Sequence, residues 1–390
     1  MPYIVSVCGE EGFGKVGVGY SFALISIVLI DYGSYINGTK EISIHSNDNK
    51  ILCEKFATIY FAKFILILSV LLLSSILILS IPFFQKDYLQ LLLSLLIVVG
   101  QFINPTWFFQ GIQNFKWISA INILSKCIYL ACVFLFIKTP ADYIYANAFF
   151  GIGLITASFS GFIWIYSKYD FSFQHTSLEK ALNLLKEEFN LTASQLFFSL
   201  YQYAPVMIIS YVGGDLLAGQ FRIIDQIIMI FRTYFQMFFN FIYAEVCLKI
   251  FQDSEQGLKV WFKFNFLNYC LVGAMLIFSF FMANDILSFF NVDLVAHHYL
   301  LSIFKLGLLI PLLMGITFAL KQLMFAYNKN THYIQITIIS SILYLIIVYF
   351  LVKAIGLAGS FITTLVMEFL IIFLYIVVLR RNFLKTSKHL

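Results

Sequence analysis

Charge is what this sequence has least of. Asp, Glu, Lys and Arg make up 12% of the 390 residues, while 61% are hydrophobic; soluble domains carry about 25% charged residues. A chain this poor in charge is a polytopic membrane protein. The six cysteines, Cys8, Cys53, Cys127, Cys132, Cys247 and Cys270, form no CxxC pair. They read as small hydrophobes, which excludes a disulfide framework or a zinc site. No GxxxxGK[ST] loop is present, so no ATPase is built into the chain. All six histidines (His45, His175, His297, His298, His332, His389) fall in loops or at the ends of apolar runs. That disfavours an embedded transferase with a central histidine base. No outer loop is long enough for a soluble catalytic domain, and nothing points to nucleic acid, a metal or a cofactor. Met1–Cys8 is too short for the apolar core of a cleavable signal peptide and runs at once into Glu10 and Glu11.

What is there is a series of apolar runs. A spanning helix needs about 20 predominantly apolar residues. Eleven stretches qualify: 17–36, 59–81, 89–110, 117–137, 143–165, 191–212, 218–245, 264–284, 299–326, 333–352 and 356–379. Met1–Val7 is apolar but covers only half a bilayer, and reads as the tail of a truncated first helix. Lysine and arginine accumulate in cytoplasmic loops. Alternate loops hold fifteen of them on one side (Lys40, Lys50 and Lys55 through Arg380, Arg381, Lys385 and Lys388) and four, Lys15, Lys86, Lys138 and Lys353, on the other. This predicts a cytoplasmic C-terminus.

The expected organisation is an N-terminal bundle at 1–166, a cytoplasmic amphipathic linker at 167–190 and a C-terminal bundle at 191–390. Within the linker, Thr176 and Glu179 are spaced as a capping box, with Leu178, Ala181, Leu182, Leu185 and Phe189 on one face. It is either an in-plane tie between two halves or a docking site for a partner enzyme. The halves echo one another: Val7-Cys8-Gly9 before acidic residues and Gly14 resembles Val212-Gly213-Gly214-Asp215 before Gly219, about 205 residues on. Parallel repeats of this kind predict an all-α membrane protein of two pseudo-symmetric six-helix bundles.

Polar groups inside the spans are the candidate site. Arg222, Asp225, Arg232, Gln236 and Asn240 recur at spacings of 3, 7, 4 and 4, with Met229 between and Tyr243 extending the row. At 3.6 residues per turn they share one face. A charge at the bilayer centre costs roughly 2.5–3.5 kcal/mol on insertion scales, so such a row faces a bundle interior or a watery cavity. Arg222 is shallow and within reach of headgroups; Arg232 is deep. Ser119, Asn122, Lys126 and Tyr129 form a second stripe. Lys126 either pairs with Asp31 or lines a solvated cavity, where it would face Arg232. Glu368 is either a buried protonated acid or a coupling group, alongside Asp31 and Asp225. Lys305 precedes Pro311, where the helix should break; Lys321 should snorkel, and Lys63 and Asp285 should be interfacial. Four cations near a cavity, Lys126, Arg222, Arg232 and Lys305, would suit an anionic substrate, and arginine matches phosphate oxygens in shape.

The run Asn104-Pro105-Thr106-Trp107-Phe108-Phe109-Gln110-Gly111, followed by Gln113, Lys116, Asn122 and Lys126, closely resembles the WFFQG region of Wzx-type flippases. These form the polysaccharide-transporter branch of the MOP exporter superfamily, related to MATE and MurJ. Looser blocks agree: Phe13-Gly14 with Tyr20-Ser21-Phe22-Ala23, Asp31-Tyr32-Gly33, Lys138-Thr139-Pro140-Ala141-Asp142, and Gly356-Gly359 leading to Glu368. Gln113 departs from the pattern, standing where an acidic residue is common. The resemblance implies the MOP flippase fold and no enzymatic activity. It implies alternating access that moves an undecaprenyl-pyrophosphate-linked oligosaccharide, an O-antigen or capsule repeat unit, from the cytoplasmic to the periplasmic leaflet of the bacterial inner membrane, with ion coupling as an option. Implied partners are the lipid-linked oligosaccharide, membrane lipids, a polysaccharide polymerase and a chain-length regulator. The WFFQG aromatics are either a sugar-stacking surface or a packed helix end kinked by Pro105. The alternatives are a MATE-like small-molecule exporter, which would want an acidic cavity, and a membrane-embedded glycan transferase or polymerase.

Overall fold

A computed structural model describes residues 1–46, 48–169, 176–292 and 297–386. The principal helices among these residues are α1 (Pro2–Asp31), α2 (Thr39–Ile44), α3 (Asn49–Ser80), α4 (Tyr88–Ile103), α5 (Thr106–Gly111), α6 (Phe115–Phe136) and α7 (Tyr143–Lys168). They continue with α8 (Leu178–Gln252), α9 (Ser254–Phe281), α10 (His298–Gly307), α11 (Leu309–Ala326), α12 (Asn330–Ile355) and α13 (Leu357–Thr386). In hydrocarbon no water satisfies backbone N–H and C=O groups, so only internally bonded structure survives there. Ten helical stretches among the described residues are long and apolar enough to cross a membrane. They accommodate all eleven expected spans because α8 runs for 75 residues and carries both 191–212 and 218–245. Large apolar side chains such as Leu72, Phe134 and Phe278 lie exposed along these helices, as a lipid-facing surface requires. The chain is a multi-pass membrane protein.

Two glycines bend the long helices. Gly9 in α1 has φ 73° and ψ 173°, and Gly214 in α8 has φ 84° and ψ 169°. An L side chain is strained at such positive φ. The two share one backbone conformation at the spacing of the sequence echo, so the repeat is structural. By packing, the chain divides into two compact units, Val7–Met207 and Ile208–Leu390 with Met1–Ser6. Each division lies within about two turns before its kinked glycine.

In the first unit, α4 packs along α7, and α7 along α6. One apolar core joins Val18, Phe22 and Ile30 of α1 to Ile67 and Val70 of α3 and Leu95 and Val98 of α4. A second, nearer the lysine-rich loops, gathers Ile42, Phe56, Tyr60, Trp107, Phe108 and Ile165. In the second unit Ile242, Val246, Leu323, Ile336 and Tyr375 form a core joining α8, α11, α12 and α13.

The linker departs from its expected form. Residues 170–175 lie outside the described ones. The cap is Ser177, whose Oγ accepts the Lys180 N–H at 3.2 Å. Thr176 instead donates to Thr58 Oγ1 at 3.1 Å, so the expected Thr176–Glu179 box is not formed. The helix then runs without a non-helical residue from Leu178 to Gly213. The linker from Leu178 on is thus an extension of the following span, not a separate in-plane helix. Ala181, Leu184 and Glu188 turn inward, leaving the expected apolar positions Leu178, Leu182 and Phe189 exposed. Three polar contacts strap it to the first unit: Thr176–Thr58, Lys180 Nζ to Glu54 Oε1 at 2.6 Å, and Glu188. Asn37 Nδ2 donates to both Glu188 carboxylate oxygens, at 2.7 and 2.8 Å.

Candidate functional site

The first unit buries an ion pair that the sequence does not announce. Asp31, at the end of α1, lies 3.4 Å from Lys63 Nζ, with side chains 15% and 2% exposed respectively. Lys63 was expected to be interfacial. It is buried because α3 begins at Asn49, ten residues before the apolar run, with Asp48 capping it by accepting the N–H groups of Lys50 and Ile51 at 3.0 and 3.2 Å. Lys63 therefore stands ~21 Å along the helix, on the inward face shared with Phe56, Tyr60, Ile67 and Val70. Its partner excludes the Lys126–Asp31 pair.

Around this pair runs a continuous chain of hydrogen bonds. Gln101 Nε2 donates to both Asp31 oxygens, at 3.2 and 3.0 Å, and Asn104 Nδ2 donates to Gln101 Oε1 at 3.3 Å. The Thr106 N–H donates to Asn104 Oδ1 at 3.1 Å, and Thr106 shares a short hydroxyl contact with Tyr35. Asn104 and Pro105 break the helix between α4 and α5, which frees these groups to turn toward Asp31. The WFFQG block itself is α5. Trp107, Phe108 and Phe109 are fully buried, Gly111 is buried and Gln110 exposed. Phe56 stacks on Trp107 with ring centroids 5.8 Å apart, Phe109 stacks on Trp117 at 5.7 Å, and Lys63 Nζ sits 5.8 Å from the Trp107 ring. The motif is a packed helix end beneath the ion pair. Its aromatic faces are occupied by other rings and offer no sugar-stacking surface.

In the second unit the charged row of α8 grades from buried to open. Arg222 and Asp225 are both buried and pair at 3.1 Å, so Arg222 does not reach headgroups as its shallow position implied. Met229 and Arg232 are half-buried, and Gln236 and Asn240 exposed, the last two joined at 3.1 Å. The one hydrogen bond of the Arg232 guanidinium among the described residues goes to Met229 Sδ at 2.9 Å. Glu368 is buried and accepts the Thr317 hydroxyl at 2.6 Å. Tyr344 is buried, and its hydroxyl lies 3.2 Å from Thr364 Oγ1.

The others are dispersed. Lys126 and Asn122 are exposed on α6, and Asn122 Nδ2 turns back to the Ile118 carbonyl at 2.9 Å. Lys305 is half-buried at the end of α10, its Nζ 4.6 Å from the Phe280 ring. The helix breaks there as Pro311 implies, between Gly307 and Leu309. Lys321 is ringed by Phe239, Phe318, Phe325 and Tyr333 at 5.2–5.8 Å, so cation–π contact holds it within the unit. Outside the spans, a hydrogen bond from Lys55 at 2.8 Å holds the Glu41 carboxyl below its usual range.

Residues 1–247 match the family described as Polysaccharide biosynthesis protein, well over half of the chain. This chain belongs to that family. Two relatives are named as candidate O-antigen transporters. The one from Escherichia coli (strain K12) is 25% identical over 226 residues, covering 58% of this chain and 54% of its own. The one from Shigella dysenteriae is 23% identical over 235 residues, covering 59% and 57%. The matched stretch thus spans little more than half the length of each relative. Among solved structures, a multidrug resistance MATE family transporter of the MOP superfamily in an inward-facing conformation superposes with a TM-score of 0.77. It is 14% identical and covers 99% of this chain and 94% of its own. A MOP superfamily transporter from Pyrococcus furiosus is 13% identical with a TM-score of 0.58, covering 97% and 87%. The fold is the MOP transporter fold. The polysaccharide biosynthesis match reaches residue 247, so it takes in both buried ion pairs and the whole Arg232 row, whereas Lys305 and Glu368 lie beyond it.

Proposed function

We propose that this member of the polysaccharide biosynthesis family is a flippase. Its cargo is an undecaprenyl-pyrophosphate-linked oligosaccharide, an O-antigen or capsule repeat unit, carried from the cytoplasmic to the periplasmic leaflet of the inner membrane. The observation that carries this reading is Arg232. A guanidinium has five N–H donors in a rigid fork matched to phosphate, and among the described residues a single weak thioether acceptor hydrogen-bonds to it, beside open polar surface at Gln236 and Asn240. A pyrophosphate entering hydrocarbon needs such counter-charge. Arg222 is already neutralised by Asp225, which leaves Arg232 as the anion receptor of its row; Lys126 and Lys305 are the further cations.

The lysine bias sets the open end of the row, and the C-terminus, on the cytoplasmic side. The half-chains 1–166 and 191–390, joined by 167–190, act as the two bundles of an alternating-access cycle. Glu368 and the Asp31–Lys63 pair are the groups through which a proton gradient is coupled. The exported unit then passes to a polysaccharide polymerase and its chain-length regulator.

The test is restoration of surface glycan in a flippase-null strain. The wild-type chain should restore it, Arg232→Ala should abolish it at equal membrane abundance, and Arg232→Lys should restore it in part. Full restoration by Arg232→Ala removes the anion-receptor role. Restored drug efflux without surface glycan replaces the flippase with a MATE-like exporter.

A further inference from the structure

The first unit contains a crevice of about 520 Å³ that the buried pair and the charged row do not use. Its back wall is Tyr60, Phe102 and Phe162. Tyr60 meets Phe102 at 6.1 Å and Phe162 at 5.3 Å, and packs behind them on Trp107 at 6.0 Å. Its lips are Phe64 of α3 and Phe159 of α7, 49% and 56% exposed. Both lie inside membrane-spanning helices, so the opening faces lipid. Phe159 stands ~13 Å before the Lys168 end of α7, within the hydrocarbon. The opposite end is roofed by Thr176 and the start of α8, where the Thr176 and Thr58 hydroxyls meet. The crevice is therefore polar at the end nearest the lysine-rich loops and aromatic as it descends.

We infer that this crevice holds a segment of the polyprenyl chain of the lipid-linked substrate, an inference that rests on the flippase reading. A volume of this size falls in the range of ligand pockets, about 300–1,000 Å³, and a dry, aromatic-lined cavity takes apolar occupants. The polarity gradient matches a lipid whose phosphate end lies at the membrane surface. Prenyl chains carry a double bond and a branching methyl in each unit, which present π-faces and C–H groups to rings on both sides; a saturated acyl chain offers only methylenes. The position also explains why the WFFQG block is buried: Trp107 supports the crevice wall from behind and does not contact cargo itself.

The experiment uses the full chain in nanodiscs of phosphatidylethanolamine and phosphatidylglycerol, with a photoactivatable polyprenyl phosphate as probe. Labelling should concentrate on the peptides containing Phe64 and Phe159. Phe159→Trp, which fills the opening, should lower it about ten-fold, as should Phe64→Trp. Leu135→Trp, on the exposed face of α6, should leave it unchanged. Even labelling of all lipid-facing helices overturns the inference, as does a photoactivatable phospholipid that marks the same peptides with equal selectivity. Complementation of the flippase-null strain alongside even labelling overturns the crevice alone. Crevice labelling with no complementation by the wild-type chain overturns the flippase reading and leaves a prenyl-chain site in place.

Discussion

Replacing Lys63 by methionine keeps the length and apolar stem of the side chain and removes its charge. Asp31 would retain two hydrogen bonds from Gln101 but lose the ammonium at 3.4 Å. With the two side chains 2% and 15% exposed, little water can enter to replace it. At 3.4 Å the attraction is about 5 kcal/mol for an effective dielectric constant of about 20, offset by the desolvation of both charges. Removing one partner leaves the other charge buried, so Lys63→Met should destabilise by about 3–5 kcal/mol. Asp31→Asn should cost a similar amount by stranding the lysine. The double variant strands neither charge and should fall within about 1 kcal/mol of wild type, since a buried pair and its neutral replacement are nearly equivalent. Unfolding of the purified full-length chain by SDS titration, run as a double-mutant cycle, measures the coupling. If the two single losses simply add in the double variant, the pair does not hold the cluster together and the reasoning fails.

Two further predictions concern the backbone and the membrane surface. Gly214→Ala and Gly9→Ala should each lower unfolding stability by about 1–2 kcal/mol, because the native φ forces a Cβ against its carbonyl; Gly273→Ala in α9, a helical glycine with open space around it, should be neutral or stabilising in the same SDS titration. Glu41 has a depressed carboxyl pKa, so its link to Lys55 contributes fully above its ordinary value of 4.5 and is lost as pH falls through the lower folded value. With side chains 37% and 42% exposed, the effect is at most about 1 kcal/mol; thermal scans at neutral and acid pH should show a smaller acid loss in Lys55→Met, and an unchanged loss refutes the link.

Charges in an apolar sequence are conspicuous, and that is why Arg222, Asp225, Arg232 and Glu368 stand out in it. Helical spacing alone put the α8 row on one face, and Pro311 marked a real break. What sequence cannot give is the partner of a charge. Asp31 pairs with Lys63 and not Lys126 because α3 starts at Asn49, ten residues before the apolar run, where the interspersed Asn49, Lys50, Glu54 and Lys55 read as loop, which shifts Lys63 from a span end to the interior. The Thr176 cap was displaced by a neighbouring serine once a tertiary bond to Thr58 claimed its hydroxyl.

The strap and the kinks bear on one another. Glu188, Lys180 and Thr176 fix the start of α8 to the first unit through Asn37, Glu54 and Thr58. From there the helix is unbroken to Gly213. The first non-helical position is Gly214, where an added Cβ would meet no surrounding atom within 4 Å and only the positive φ resists a side chain. Gly9 is equally unhindered, and it too follows closely on a division between the units. Both points where the chain passes from one unit to the other therefore lie beside a glycine that is conformationally specialised and sterically open. The alternating-access cycle proposed above would have these two matched glycines as its backbone pivots, with the strapped start of α8 belonging to the first unit.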